Sequence, residues 1–320
     1  MPFRRTPVII ETTPAADGST DGNLSAGPLS FLQLRIALLN DTANTKTTLA
    51  QMLGAMEKIE VFDKGASIVS INALDLFALN CAVLGREPWQ GNEMNVDNAT
   101  RFLELFVPFG RQLYSRTEGL PQKAKGDYTV RLTYDIDDTA YDDLIIHLDE
   151  VIREDLQPEA HLKYTTKTIT GAATGLATVS LARANQYLGL LFFATTVPTG
   201  TAWTATLESI KVKLNDTQAV YQQIFWEELF GLWANRLSPA VAWGEAIALE
   251  NSATAYTQNA DTNGIERIDS DVETHAYMDF DPLGDLGDAI DSAELNDFDL
   301  EIDYGDTNAA RLIPVERVRL

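Results

Sequence analysis

The sequence predicts an all-β fold with a few short helices, organised as two tandem β-sandwich domains. Three observations predict it. Alternating apolar segments outnumber helical stripes, and turn residues recur at short intervals, which is the spacing of a sandwich or barrel. A block at 56–79 comes round again at 208–232, as EKIEVFDKG then VSINALDLFALN, and as ESIKVKLND then VYQQIFWEELFGLW. A second pair, YTVRLTYDIDDTAYDDLIIHLDEVI at 128–152 and FDLEIDYGDTNAARLIPVERV at 298–318, follows in the same order.

Each copy of the first block has the same parts. An alternating strand (Ile59, Val61; Ile210, Val212) meets turn chemistry, Gly in one copy and Asn-Asp in the other. An apolar stripe at helical spacing follows, through Ile71, Leu74 and Phe77 or through Ile224, Phe225, Leu229 and Leu232. Each ends in a Leu-Phe pair, Leu76-Phe77 and Leu229-Phe230. The copies lie roughly 150 residues apart, a domain's length and far too long for a solenoid repeat.

Composition bounds the function. At 320 residues and 45% hydrophobic content the chain can bury one large core or two ordinary ones. The net charge of −23 argues against a nucleic-acid surface, which needs clustered Lys and Arg. It fits a soluble, self-repelling particle, and equally a salt-adapted source. Cys81, the only cysteine, sits in LFALNCAVLG as a small core residue and allows no internal disulfide. No apolar run reaches the length of a membrane span, and MPFRRTPVII has no apolar region fit for a secretory signal.

In chain order, residues 1–28 read as an arm, because Pro2, Pro7, Pro14 and Pro28 around GSTDGN interrupt helix and sheet. It is either a frayed terminus or a basic tether for an acidic neighbour or lipid headgroups. The first domain is expected over 29–155. Its parts are a strand in SFLQLRIALL, a short amphipathic helix near 46–56, a strand at 59–63 and a helix at 72–84 closed by Gly85. Strands follow at 101–107, stopped by Pro108, and at 127–135 and 143–152. Residues 156–163 are the expected linker.

The second domain is expected over 164–320. Strands are predicted at 164–170, 174–182, 187–197 and 203–207, with 188–193 buried on both faces. A helix over 217–236 is predicted to be the longest of the chain, with Trp226, Phe230 and Trp233 on one face. A polar, Ala-rich insertion occupies 244–263, and no Lys or Arg occurs from 268 to 310.

At 107–121 the chain reads VPFGRQLYSRTEGLP. A strand ending in Pro-Phe-Gly-Arg, a short spacer and then Gly-Leu resembles the first jelly roll of double jelly-roll major capsid proteins of tailless icosahedral viruses, which often enclose a membrane. The opening strand with its helix, IEVFDKG, and the Leu-rich helix ending in Leu84-Gly85 are similar to that half. KVKLNDT and the aromatic helix are similar to the second. The sequence departs from the pattern at 244–263 and in the acidity of 269–306. The resemblance implies two eight-stranded jelly rolls, a double jelly roll, and a homotrimeric, pseudo-hexagonal capsomer, since two similar domains times three copies approach sixfold shape.

Catalytic chemistry is thin. His147, His161 and His275 form no close ligand pair and read as surface histidines. DFDPLGDLGDAI at 279–290 starts like an EF-hand but has Ile290 where a bidentate Glu is required, which leaves Asp279, Asp281 and Asp285 as a looser calcium candidate. There is no nucleophile elbow, P-loop or dinucleotide fingerprint.

The expectation is therefore a structural protein with no catalytic residues and no cofactor, located in the virion shell after assembly in the host cytoplasm. Its partners would be copies of itself, minor capsid or vertex proteins and an internal membrane, without direct nucleic-acid contact. Arg4 and Arg5 would make the inner-face or membrane contact. Pro108, Gly110 and Arg111 would fix a bend at a strand end, with Arg111 on a carboxylate through its fork. The alternative is a two-domain β-sandwich carbohydrate-binding protein or glycoside-active enzyme.

Overall fold

A computed structural model describes residues 3–40, 47–91, 98–136, 141–198, 203–215, 218–237 and 272–320. The chain divides into two compact units, Met1–Thr165 with Arg317–Leu320, and Thr166–Glu316.

The first unit contains β1 (Phe3–Thr12), β2 (Gly18–Asn23), β3 (Leu29–Leu39), α1 (Leu49–Gly54), β4 (Lys58–Asp63), β5 (Ala66–Ile71), α2 (Ala73–Leu84), β6 (Gln90–Gly91), β7 (Thr100–Pro108), β8 (Tyr128–Tyr134), β9 (Leu144–Arg153) and β10 (Ala160–Thr165). One sheet runs β1-β9-β3-β7-β6, and a second run is β10-β5-β4-β8-β2. Alternation decides which side chains go inward. Leu103, Leu105 and Val107 of β7 are buried, as are Ile59 and Val61 of β4. Lys64 and Gly65 both take positive φ, 49° and 89°, which is what a tight turn between two twisted strands requires.

Helix α1 starts in a capping box, in which Thr48 Oγ1 accepts from Gln51 N and Gln51 Oε1 accepts from Thr48 N. Helix α2 starts on Asn72, whose side chain accepts from Asp75 N at 2.7 Å. It ends on Gly85 at φ 66°, with Gly85 N–H bonded to Cys81 O. Between those caps it buries Leu76, Phe77, Leu79 and Cys81. Buried Asn80 completes the docking: its amide donates to Phe106 O at 2.7 Å and accepts from Phe106 N at 2.8 Å.

The second unit contains β11 (Lys167–Thr168), β12 (Gly175–Ser180), β13 (Gln186–Ala194), β14 (Leu207–Leu214), β15 (Gln218–Phe225), α3 (Trp226–Ala234), β16 (His275–Asp279), β17 (Ile290–Asp291), a 3₁₀ turn at Ser292–Glu294, β18 (Phe298–Tyr304) and most of β19 (Ala310–Arg319). One sheet runs β12-β18-β14-β15, and the other run is β16-β13-β19, with β11 on β19 and β17 on β13. Strand β13 is buried almost throughout, from Tyr187 to Ala194 with only Phe193 partly open. Trp226, Leu229, Phe298, Leu300 and Ile302 join it in one apolar core.

The two units share one wiring. The order β1-β9-β3-β7 has its counterpart in β11-β19-β13-β16, and β2-β8-β4-β5 in β12-β18-β14-β15. Each is a jelly roll, so the chain is a double jelly roll. The recurrent block is a hairpin followed by a helix, β4-β5-α2 and β14-β15-α3, and the second recurrent pair is β8, β9 and β18, β19.

Several expectations are corrected. Residues 1–28 are not a loose arm: β1 pairs with β9 from Phe3↔Arg153 onward, and β2 pairs with β8 in unbroken register. Pro7 is compatible with this because β1 is a sheet edge, where a missing N–H interrupts no ladder. Residues 218–225 are strand, paired with β14, so α3 begins at Trp226 and α2 is the longer helix. A short apolar run does not distinguish the two periods, and pairing decides it. The expected linker 156–163 ends inside β10, which pairs in parallel with β5, and the units divide after Thr165. The strand expected at 203–207 starts instead at Leu207. The insertion at 244–263 lies outside the described residues.

Candidate functional site: the Glu118 clamp

The segment that follows β7 folds into a clamp within the first unit. Pro108 ends the strand, and its carbonyl accepts from Tyr164 Oη at 3.2 Å in a buried contact. Phe109 N–H then donates to Ser30 O, and Phe109 O accepts from Leu162 N. At Gly110 the chain crosses Glu118 so closely that a Cβ would lie 2.9 Å from both Glu118 Cβ and Glu118 O. Arg111 grips the same residue, with N–H to Oε2 at 3.0 Å and Nε to Oε1 at 2.9 Å. Arg317 adds Nε to Oε1 at 3.0 Å. Beyond Glu118, Gly119 N–H bonds Ala160 O, and Leu120 exchanges two backbone bonds with Leu29. The clamp thereby joins the start of β3, the end of β7 and the start of β10.

Glu118 is 5% exposed. Burial alone raises a carboxyl, but the side-chain and backbone hydrogen bonds from Arg111, together with that from Arg317, outweigh it. The net effect holds Glu118 below its ordinary value of 4.5. Two guanidinium groups on one shielded carboxylate make a fixed charge-assisted junction. Its chemistry is to hold segments together.

The other predicted residues fall elsewhere. Arg4 and Arg5 lie on β1 with exposed side chains, and Arg5 donates to buried Asp149, whose other oxygen lies 3.2 Å from His147 Nε2. The calcium candidates serve their own loop. Asp281 accepts from Leu286 N at 2.7 Å and Asp285 from Gly287 N at 2.8 Å. Asp279 accepts from Asp281 N and pairs with Arg236. Among the described residues no group of three or more His, Cys, Asp or Glu is placed to hold a metal ion.

The histidines are less exposed than expected, with His147 and His161 partly buried. His275 is fully buried beside the Phe193 ring, and burial pushes His161 down to about 4. Trp226 and Trp233 are buried, while Phe230 is partly open and meets Trp233 edge-on at 6.4 Å. Cys81 is buried and unbridged.

Sequence reasoning named Pro108, Gly110 and Arg111 but missed Glu118 and Arg317. Glu118 stands inside the same motif, seven residues after Arg111, so the carboxylate sought for Arg111 was in view. Arg317 stands 199 residues away, and nothing local marks it.

No protein-family model matches the chain, and no curated protein matches it in sequence. Solved structures do match. The STIV major capsid protein superposes with a TM-score of 0.67 at 9% identity, covering 99% of this chain and 97% of that one. The major capsid protein P2 of bacteriophage PM2 gives 0.58 at 12%, covering 99% and 98%. The PBCV-1 virus capsid protein gives 0.54 at 11%, covering 99% and 94%. The chain therefore carries, over nearly its whole length, the double jelly-roll fold of viral major capsid proteins.

Proposed function

We propose that this chain is the major capsid protein of an icosahedral virion, and that three copies form a pseudo-hexagonal capsomer. One observation carries the reading: two jelly rolls of the same wiring stand in tandem in one chain. Three copies would then present six similar sandwiches, a shape that tiles a shell. The near-complete coverage of solved capsid proteins supports it. The work of such a protein is subunit packing, and the clamp at Glu118 suits it as a rigid brace, without catalysis.

Arg4, exposed on β1, is the residue we assign to an inner-face or membrane contact, whereas Arg5 is engaged with Asp149. Minor capsid or vertex proteins are further partners under this reading, with assembly in the host cytoplasm. Light scattering and negative-stain imaging of purified protein test it. Particles near three times 35.2 kDa, with a six-lobed outline, are expected. A monomer at every concentration and salt condition overturns the reading.

A further inference from the structure

Among the described residues, the edge strand of the first unit carries charge and is packed over by β1, whereas its counterpart in the second unit pairs on one side only. Strand β2 carries Asp21, paired with Arg131 at 2.8 Å. Strand β1 packs on one face of β2, so closely that a Cβ on Gly22 would lie 2.4 Å from Val8 Cγ1. The counterpart β12, GLATVS, ends the order β12-β18-β14-β15 and carries no charge. Its Leu176 is 71% exposed, and Ala177 and Thr178 are exposed beside it. The counterpart of β1 here, β11, has only 2 residues against 10, too few to pack across β12 as β1 packs across the face of β2.

Register identifies the open backbone. Leu181 N–H donates to Phe298 O at 2.8 Å, so Val179, Ala177 and Gly175 face β18 with it. The N–H and C=O groups of Leu176, Thr178 and Ser180 therefore point away from the sheet. Lys167 Nζ donates to Ser180 O at 2.8 Å from that side, which leaves the backbone groups of Leu176 and Thr178 as the open part of the edge. Natural proteins protect such edges with charge, proline or cover, and an edge left open is a template for an added strand.

We propose that β12 is the edge onto which a second copy of this chain adds a strand. Charge selects the occupant. Each copy carries −23, so acidic faces of two copies repel, and like binds like where carboxylates are missing. From 160 to 207 the chain has no Asp or Glu, while Lys163, Lys167 and Arg183 fall within it, and β12 lies inside this run. Just past the strand, Leu181, Ala182, Arg183, Ala184, Ala293 and Leu295 line an open groove of about 800 Å³. That groove offers an apolar seat beside the Arg183 guanidinium, which donates to Leu295 O and Asn296 O and keeps the local charge positive. The inference rests on the self-assembly reading above.

Sedimentation of the full chain tests it, with thermal melting as the check on folding. Thr178→Pro removes one outward N–H and leaves the bonds to β18 in place. Leu176→Asp puts a carboxylate on the same edge. Ser19→Asp, on the exposed face of β2, adds the same charge away from it. Association should weaken on the order of tenfold in Thr178→Pro, at least as much in Leu176→Asp, and remain unchanged in Ser19→Asp. If the proline variant unfolds, Leu176→Asp alone decides. Wild-type oligomers that survive both β12 substitutions overturn the docking edge and leave the shell reading standing. A wild type that never associates overturns both.

Discussion

The two jelly rolls have the same wiring and are fastened differently. The first is held by polar devices: capped helices, an asparagine seated on β7, and a carboxylate gripped by two arginines. The second has polar contacts of its own, such as Lys213 on Glu301 and Asn308 on Thr196, but leans more on apolar burial. Helix α3 has Phe225 at its N-cap, which offers no side-chain acceptor and leaves only Glu228, accepting from Phe225 N–H at 3.1 Å, to cap it, and β13 is buried on both faces. In that strand Gly189 lets Tyr277 pass where a Cβ would lie 2.2 Å from its hydroxyl. The difference teaches that alternation, hairpins and sheet order define this fold, while each copy finds its own means of locking it.

Substitutions can break or sharpen that contrast. The largest effect is expected at the clamp. Glu118→Ala strands two arginines in a shielded site and should cost about 3–5 kcal/mol, read by amide exchange in β7 and β10 with β14 and β18 unaffected. Its pH dependence has a defined sign. The folded carboxyl titrates below its ordinary 4.5, so its contribution is complete above that value and is lost as pH falls through the folded one. Urea midpoints should show this acid loss in the wild type and a smaller one in Glu118→Gln.

Next come the two helices, where the units should behave alike. Leu76 and Leu229 are 0% and 1% exposed, and truncating either to Ala should cost about 2–5 kcal/mol in chemical unfolding. A much smaller loss at Leu229 would mean that α3 does not pack as α2 does. Gly189→Ala should cost about 1–3 kcal/mol through overpacking against Tyr277, seen as a lowered melting point for the second unit alone. The smallest effects lie at the caps. Asn72→Ala should lose about 1 kcal/mol, whereas Phe225→Asn, at a half-exposed N-cap, should gain up to about 1 kcal/mol.

Much of the fold was legible because it is written locally. Lys64-Gly65 and Asn215 sit at matching turns with positive φ, and the alternation of Ile59 and Val61 recurs in Ile210 and Val212. What could not be read depends on distant pairing. GSTDGN has poor strand propensity and becomes β2 only because β8 supplies its ladder. The segment 218–225 has apolar residues compatible with either period, and its pairing with β14 selects strand. The clamp was half visible: its bend lies in one short motif, but its second arginine arrives from the other end of the chain.

That arrival has a consequence for biosynthesis. Arg317 and the residues after it belong with the first unit, and Leu320 N–H bonds Glu159 O at 2.9 Å. The leading half of the polypeptide therefore stays unfinished on the ribosome until the trailing half has been made. Nascent fragments that stop short of Arg317 would carry Glu118 with one guanidinium instead of two, and would fold into a less stable first unit.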